Sequence, residues 1–289
     1  MNLNKIGIFY FSGTGNTKII SKLFAEEFLK HDAKVELVAI EDVLNNNIPF
    51  NIDYDMIGFG HPVHAFSAPR IFFEFIENLP ICNETPSFYF KTAGDPLCNG
   101  GDTSRIRKKL LRKGYQVFYE SLFVMPSNIL FQYEDELVKQ MFLAAQRKIR
   151  KIVNQILGNH KSLQVNNSLL RIFSYLFSKA ESYGGPYFGK YLYITDTCNR
   201  CNLCIINCPT KNIYCDNDEI SFGDRCTFCM RCVYTCPSKS IKNKYMNFLI
   251  IKKGYNIKIA IENPSLKGNF VSDNTKGYFK HFYKYLFKN

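Results

Sequence analysis

Eight cysteines fall in two runs of the same spacing, CNRCNLCIINCP (Cys198, Cys201, Cys204, Cys208, Pro209) and CTFCMRCVYTCP (Cys226, Cys229, Cys232, Cys236, Pro237), 28 residues apart. Both read C-x2-C-x2-C-x3-C-P. Three thiolates two residues apart in a tight loop can grip three irons of one cubane, while the fourth, stopped by proline, points elsewhere. Zinc sites pair C-x2-C knuckles across a longer gap and often add a histidine, which neither run does. Disulfides need an oxidising compartment, and residues 1–11 lack the cleavage site of an export signal. The spacing therefore predicts two [4Fe-4S] centres.

The duplication runs past the ligands, since Cys208-Pro209-Thr210-Lys211-Asn212-Ile213 is echoed by Cys236-Pro237-Ser238-Lys239-Ser240-Ile241. The segment resembles the bacterial two-cluster ferredoxins. In them the fourth cysteine of each run ligates the other cluster. The resemblance thus implies that Cys198, Cys201, Cys204 and Cys236 hold one cluster, and Cys226, Cys229, Cys232 and Cys208 the second. Lys211 and Lys239 are expected to push the cluster potentials upward. Cys82, Cys98 and Cys215 lie outside the runs and are expected to be small buried side chains.

A second candidate site lies near the start. Residues 5–11 (KIGIFYF) form a short apolar run that reads as a buried parallel strand, followed by Ser12-Gly13-Thr14-Gly15-Asn16-Thr17 and then by Ile19, Ile20, Leu23, Phe24 and Phe28 at helical spacing. A turn joining a strand to a helix N-terminus aims free N–H groups and the positive end of a dipole at one point, which suits a phosphate. Neither a dinucleotide fingerprint nor a triphosphate P-loop is present. This hexad is similar to the phosphate loop of the flavodoxins, which bind FMN.

The elements needed to position these sites follow in order. Strands are predicted over 33–40, 54–60, 87–92 and 115–125, with helices over 69–76, 103–113 and 135–157 between and after them. Strands alternating with helices give a doubly wound α/β parallel sheet whose ligands sit outside the carboxyl ends of the strands. In the flavodoxin order, 2-1-3-4-5, the loops after the third and fourth strands flank the phosphate site. They place Pro62, Val63, His64, Ala65 and Phe66 on one side of the flavin ring and Thr92, Ala93, Gly94 and Asp95 on the other. With no tryptophan in the chain, His64 or Phe66 is the expected ring cover, and the opposite face is left to a partner, a substrate or the ferredoxin module.

Four segments result: a flavodoxin-like FMN domain at 1–160, a connector at 161–189 with an amphipathic helix through Leu169, Leu170, Phe173, Leu176 and Phe177, a small α+β 2[4Fe-4S] ferredoxin domain at 190–245, and a basic extension at 246–289. In the extension, 245–251 and 255–261 read as two strands and 277–287 as a helix. The order of domains is similar to that of the EFR1 family ferredoxins, and the resemblance implies an electron carrier between FMN, two [4Fe-4S] clusters and redox partner proteins. An FMN-dependent reductase of a small molecule is the alternative, with a redox or iron sensor behind it. No nucleophile with a base and no paired carboxylates are visible to act as catalytic residues.

Charge is uneven. Residues 1–160 hold 18 Lys and Arg against 17 Asp and Glu, whereas 161–289 hold 19 against 8, and Lys280, Lys284 and Lys288 fall at i, i+4 and i+8 near the end. An acidic ferredoxin or flavodoxin is the expected partner, steered by that charge. No nucleic-acid motif is present, no apolar run is long enough to span a bilayer, and a peripheral membrane contact of the basic end is the other use of such a helix. Reduced thiols and no export signal point to the cytoplasm.

Overall fold

A computed structural model describes residues 3–51, 53–97, 103–164 and 183–288. Five parallel strands, β1 (Lys5–Tyr10), β2 (Lys34–Ala39), β3 (Met56–Pro62), β4 (Thr85–Ala93) and β5 (Tyr115–Val124), pair in the order β2-β1-β3-β4-β5. This is the flavodoxin-like, doubly wound arrangement. The strands are near-continuous apolar runs because both faces are covered. Helices α1 (Asn16–Leu29) and α5 (Asp135–Leu157) cover one face, where Phe24, Phe28, Phe88, Phe90 and Phe123 pack together. On the other lie α3 (Arg70–Asn78) and α4 (Ser104–Arg112), after a short α2 (Ile40–Leu44) that the sequence reading lacks. In α5, Leu137, Met141, Ala144, Ala145, Ile149, Ile152 and Ile156 are buried at helical spacing, and Asp135 and Glu136 sit at its positive end.

Residues 183–250 form a smaller unit. Strands Leu192–Ile194 and Ile241–Asn243 pair antiparallel, as do Ile213–Asp216 and Glu219–Phe222. Asn217 and Asp218, both at positive φ (47° and 63°), make the tight turn between the latter two. The 28-residue echo extends to the backbone: Arg200 and Phe228, Asn202 and Met230, and Lys211 and Lys239 are pairs of positive-φ residues at matching positions.

Three expectations are corrected. Residues 245–251 and 255–261 are a 3-10 turn (Asn247–Leu249) and an α-helix (Ile257–Glu262), not strands. Short apolar runs are ambiguous in period. Here Ile257 and Ala260 bury one helical face against α5, and the Asn256 side chain caps the Lys258 N–H at 3.2 Å. The expected single helix over 277–287 is a 3-10 turn (Tyr278–His281) followed by a short α-helix (Phe282–Lys288), whose Phe282, Tyr285 and Leu286 join the core of the flavodoxin-like domain, with the Tyr285 hydroxyl accepting from Val124 N–H at 2.9 Å. Cys215 is exposed and Cys82 half-buried, so neither is a core thiol. Cys98 and the predicted connector helix through Leu169 to Phe177 lie outside the described residues. Among those described, no helix is long and apolar enough to cross a membrane.

Candidate functional site

The Ser12–Thr17 hexad leaves the carboxyl end of β1 as the sequence requires. Gly15, at φ 108°, adopts a backbone that favours glycine, and α1 starts at Asn16. The loop is held from outside. Asn128 Nδ2 donates to Thr14 Oγ1 at 3.1 Å, Asn16 Nδ2 donates to Pro126 O at 2.8 Å, and the Tyr255 hydroxyl donates to Asn16 Oδ1 at 2.8 Å. Thr17 and Thr92, both buried, share a hydrogen bond of 2.9 Å that ties the loop after β1 to the end of β4.

These elements enclose a cavity of about 400 Å³. Its wall includes Ser12, Gly13, Thr14, Asn16 and Thr17, then Pro62, Val63, His64 and Ala65, then Thr92, Ala93 and Gly94. Of the residues expected there, Gly15, Phe66 and Asp95 are not part of the wall. Phe66 and Ala65 (φ 63° and 40°) form a tight turn closed by paired His64–Ser67 backbone bonds of 2.8 Å. Asp95 accepts from Tyr278 Oη at 2.5 Å and pairs with His281 at 2.9 Å, which pins the C-terminal segment instead.

Two further sets of wall residues escape sequence reasoning. Pro126, Ser127, Asn128 and Ile129 follow β5. Their only sequence signal is their place at the carboxyl end of a strand. Gly184, Gly185, Phe228, Met246 and Leu249 come from the cysteine-rich unit. That unit therefore contributes part of the cavity wall.

Thiols of the two runs group in space across the sequence. Cys208, Cys226, Cys229 and Cys232 line one small cavity together with Thr227. Cys204 lies within electrostatic reach of Cys236 and Cys198. Backbone N–H groups point at the sulfurs in a repeated pattern: Arg200 to Cys198 and Phe228 to Cys226, both 3.4 Å, then Asn212 to Cys208 at 3.2 Å and Ser240 to Cys236 at 3.4 Å. Every described cysteine is a free thiol. Burial, then the neighbouring thiols, pushes Cys226 up to about 12 and raises Cys229 and Cys232 as well. Thiols raised in this way ionise more readily beside a compensating cation. Among the described residues no three His, Cys, Asp or Glu side chains gather as they would around a single ion. The Thr227 Oγ1 hydroxyl is buried beside this cavity without a partner, as a donor toward a cluster sulfur would be.

The two sites meet. A Cβ on Gly13 would lie 2.3 Å from the Cys229 carbonyl oxygen, so only glycine allows the Ser12–Thr17 loop to touch the second cysteine run. Cys229 itself packs into the α3/α4 side of the larger core. Arg231, two residues on, donates to Ser12 O (2.8 Å), Gly13 O (3.3 Å) and Asn207 O (3.1 Å) and pairs with Glu41 at 2.5 Å. Tyr234 Oη donates to Asn128 O at 2.7 Å. Phe228 faces the cavity while its N–H points at Cys226 Sγ. One residue thus belongs to both sites.

His61, fully buried in β3, has Nδ1 against Pro62 O at 2.7 Å and Nε2 against the Tyr89 hydroxyl. Burial pushes its pKa down to about 3, against the opposing pull of the Pro62 carbonyl, and Lys91 adds to the lowering. The unfolded chain takes up this proton near pH 6.5 while the folded one does not. Stability is therefore expected to fall as pH drops below 6.5, by about 2 kcal/mol between pH 7 and pH 5. Urea midpoints at the two pH values check this. His61→Asn should flatten the slope, and an unchanged slope would assign the loss to other groups.

No family model matches the chain. An uncharacterized protein of Methanocaldococcus jannaschii is 29% identical over 105 residues, which are 36% of this chain and 64% of that protein. The chain thus spans less than two thirds of that relative. Similar solved structures include oxidised flavodoxin 2 from Bacillus cereus (19% identity, 54% of this chain and 99% of that one, TM-score 0.40). Two-electron reduced Megasphaera elsdenii flavodoxin is another (24%, 49% and 98%, TM-score 0.35). A third is a short-chain flavodoxin associated with a non-canonical PDU bacterial microcompartment (11%, 54% and 98%, TM-score 0.41).

Proposed function

We propose that the chain is an electron-transfer iron-sulfur flavoprotein that moves electrons between FMN in the cavity beside the Ser12–Thr17 loop, two [4Fe-4S] clusters on the eight cysteines, and separate redox proteins. The observation that carries this reading is the shared boundary of the two sites: Phe228 walls the cavity and adjoins Cys226, and Gly13 touches Cys229. FMN exchanges two electrons in single steps and a cubane carries one at a time, so the pair interconverts two-electron and one-electron carriers.

The chain's own residues bind, space and shield. Backbone N–H groups of the Ser12–Thr17 loop and the N-terminus of α1 receive the phosphate, and Ser12 and Thr14 hydroxyls lie on the same wall. The N–H···S bonds at Cys198, Cys208, Cys226 and Cys236 stabilise negative charge on the sulfurs. Arg231 fixes the spacing of the two units. Met246, Leu249 and Phe228 exclude water from the cavity, and their presence on the far wall favours a carrier over a reductase with a small substrate against an open ring.

Anaerobic preparation is expected to yield about eight irons, eight acid-labile sulfides and one FMN per chain. Zinc in place of iron, or stoichiometric FAD in place of FMN, would overturn the reading.

A further inference from the structure

The 28-residue repeat relates two faces of the cysteine-rich unit, and among the described residues only one of them is covered. Phe228, Arg231 and Tyr234 make the covered face, through the cavity wall, the Ser12 and Gly13 carbonyls, and the Asn128 carbonyl. Their counterparts 28 residues earlier are Arg200, Leu203 and Ile206. All three are exposed, Ile206 by 75% and Leu203 by 38%, and exposed Cys201 lies among them. Backbone geometry matches at the two places, with Arg200 and Phe228 both left-handed and both donating to the first cysteine of their run. The first run therefore presents to solvent the surface that the second run uses to dock on the flavodoxin-like domain.

We propose that Arg200, Leu203 and Ile206 form the docking face for a separate, small acidic ferredoxin, and that electrons enter or leave through the centre held by Cys198, Cys201, Cys204 and Cys236. The proposal rests on the cluster assignment given above. The occupant follows from chemistry on the page. The other centre is enclosed against the flavodoxin-like domain, so a protein carrier reaches the first one more closely. Leu203 stands where Arg231 clamps Glu41, which removes the carboxylate clamp of the permanent interface and leaves a small apolar contact suited to a short-lived one. Arg200, the exposed cation of the patch, selects an acidic group on the rim of its partner. In each encounter one electron crosses, one centre is oxidised by one and the other reduced by one, and no bond or proton is exchanged.

The test uses the full, cofactor-loaded chain and a small acidic 2[4Fe-4S] ferredoxin as probe, with binding followed by surface plasmon resonance at low salt. Ile206→Glu and Arg200→Glu are each expected to raise Kd about tenfold or more. Their iron, sulfide and FMN contents should match the wild type, because both side chains are exposed. Ile206→Ser, with no added charge, should weaken binding in the same direction and covers the case in which the glutamate disturbs loading. Unchanged Kd in all three variants overturns the proposal, as does an equal loss from Lys280→Glu with Lys284→Glu, which would put docking at the basic C-terminal end. A wild-type chain without iron and sulfide would overturn the underlying cluster assignment instead.

Discussion

Arg231→Met is expected to destabilise the chain by about 3 to 5 kcal/mol, the cost of breaking a buried ion pair from one side. The guanidinium contacts four groups on two units, and its loss leaves the Glu41 carboxylate, only 11% exposed, without its cation. Glu41 Oε2 already lacks a hydrogen-bond partner, so the remaining charge would be costly. Two controls separate charge from geometry. Arg231→Lys keeps the charge but not the fork that spans Ser12 O, Gly13 O and Asn207 O, and should recover only part of the loss. Glu41→Gln added to Arg231→Met removes the orphaned charge and should recover stability relative to the single variant. Urea unfolding of the three gives the comparison, and on the proposed reading FMN affinity should weaken in parallel because the Ser12–Thr17 loop loses its external support. An Arg231→Met protein as stable as the wild type would show that the two units are not held together here.

On the proposed reading, Cys208→Ala should remove one centre and spare the other. Cys208 sits in sequence with the first run but in space with Cys226, Cys229 and Cys232. Iron and sulfide should fall from about eight to about four per chain, and the surviving centre should be the one held by Cys198, Cys201, Cys204 and Cys236. Because the lost centre adjoins Gly13 and Phe228, the flavin spectrum and potential should change in this variant more than in Cys201→Ala, which strikes the exposed centre. Loss of the centre at the first three cysteines instead would refute the crossed assignment.

Much of the fold was legible because its strands and helices carry strong periodic signals. Residues 135–157 read as a helix with the bounds the structure gives, and the parallel strands announced themselves as apolar runs between glycine-rich turns. The 255–261 segment failed because Ile257, Ile259 and Ile261 suggest a strand on propensity, while Ile257 and Ala260 pay for a helix by packing on α5. The small hairpin at Ile213–Phe222 was missed although Asn217-Asp218 is a turn signal for it. In the site, the Ser12–Thr17 loop and the loops after β3 and β4 lay where the strand order placed them, apart from Gly15, Phe66 and Asp95. Asp95 was misplaced because its partners, Tyr278 and His281, are more than 180 residues away in sequence. For the same reason no local pattern could reveal Arg231 or Phe228 as parts of the cavity region, since their roles exist only once the two units touch.

The shared wall of the cavity sets an order of maturation. Ser12–Thr17 and the loops after β3, β4 and β5 can form with the sheet alone, whereas Phe228, Met246 and Leu249 belong to a unit whose core is small and built around its thiols. On the proposed reading that unit gains much of its folding free energy from its metal. The flavin would then be captured loosely at first and sealed in only when the second centre has been inserted. A cell short of iron would accumulate a chain that releases its flavin, so the yellow colour of the purified protein would report on iron-sulfur supply at the time it was made.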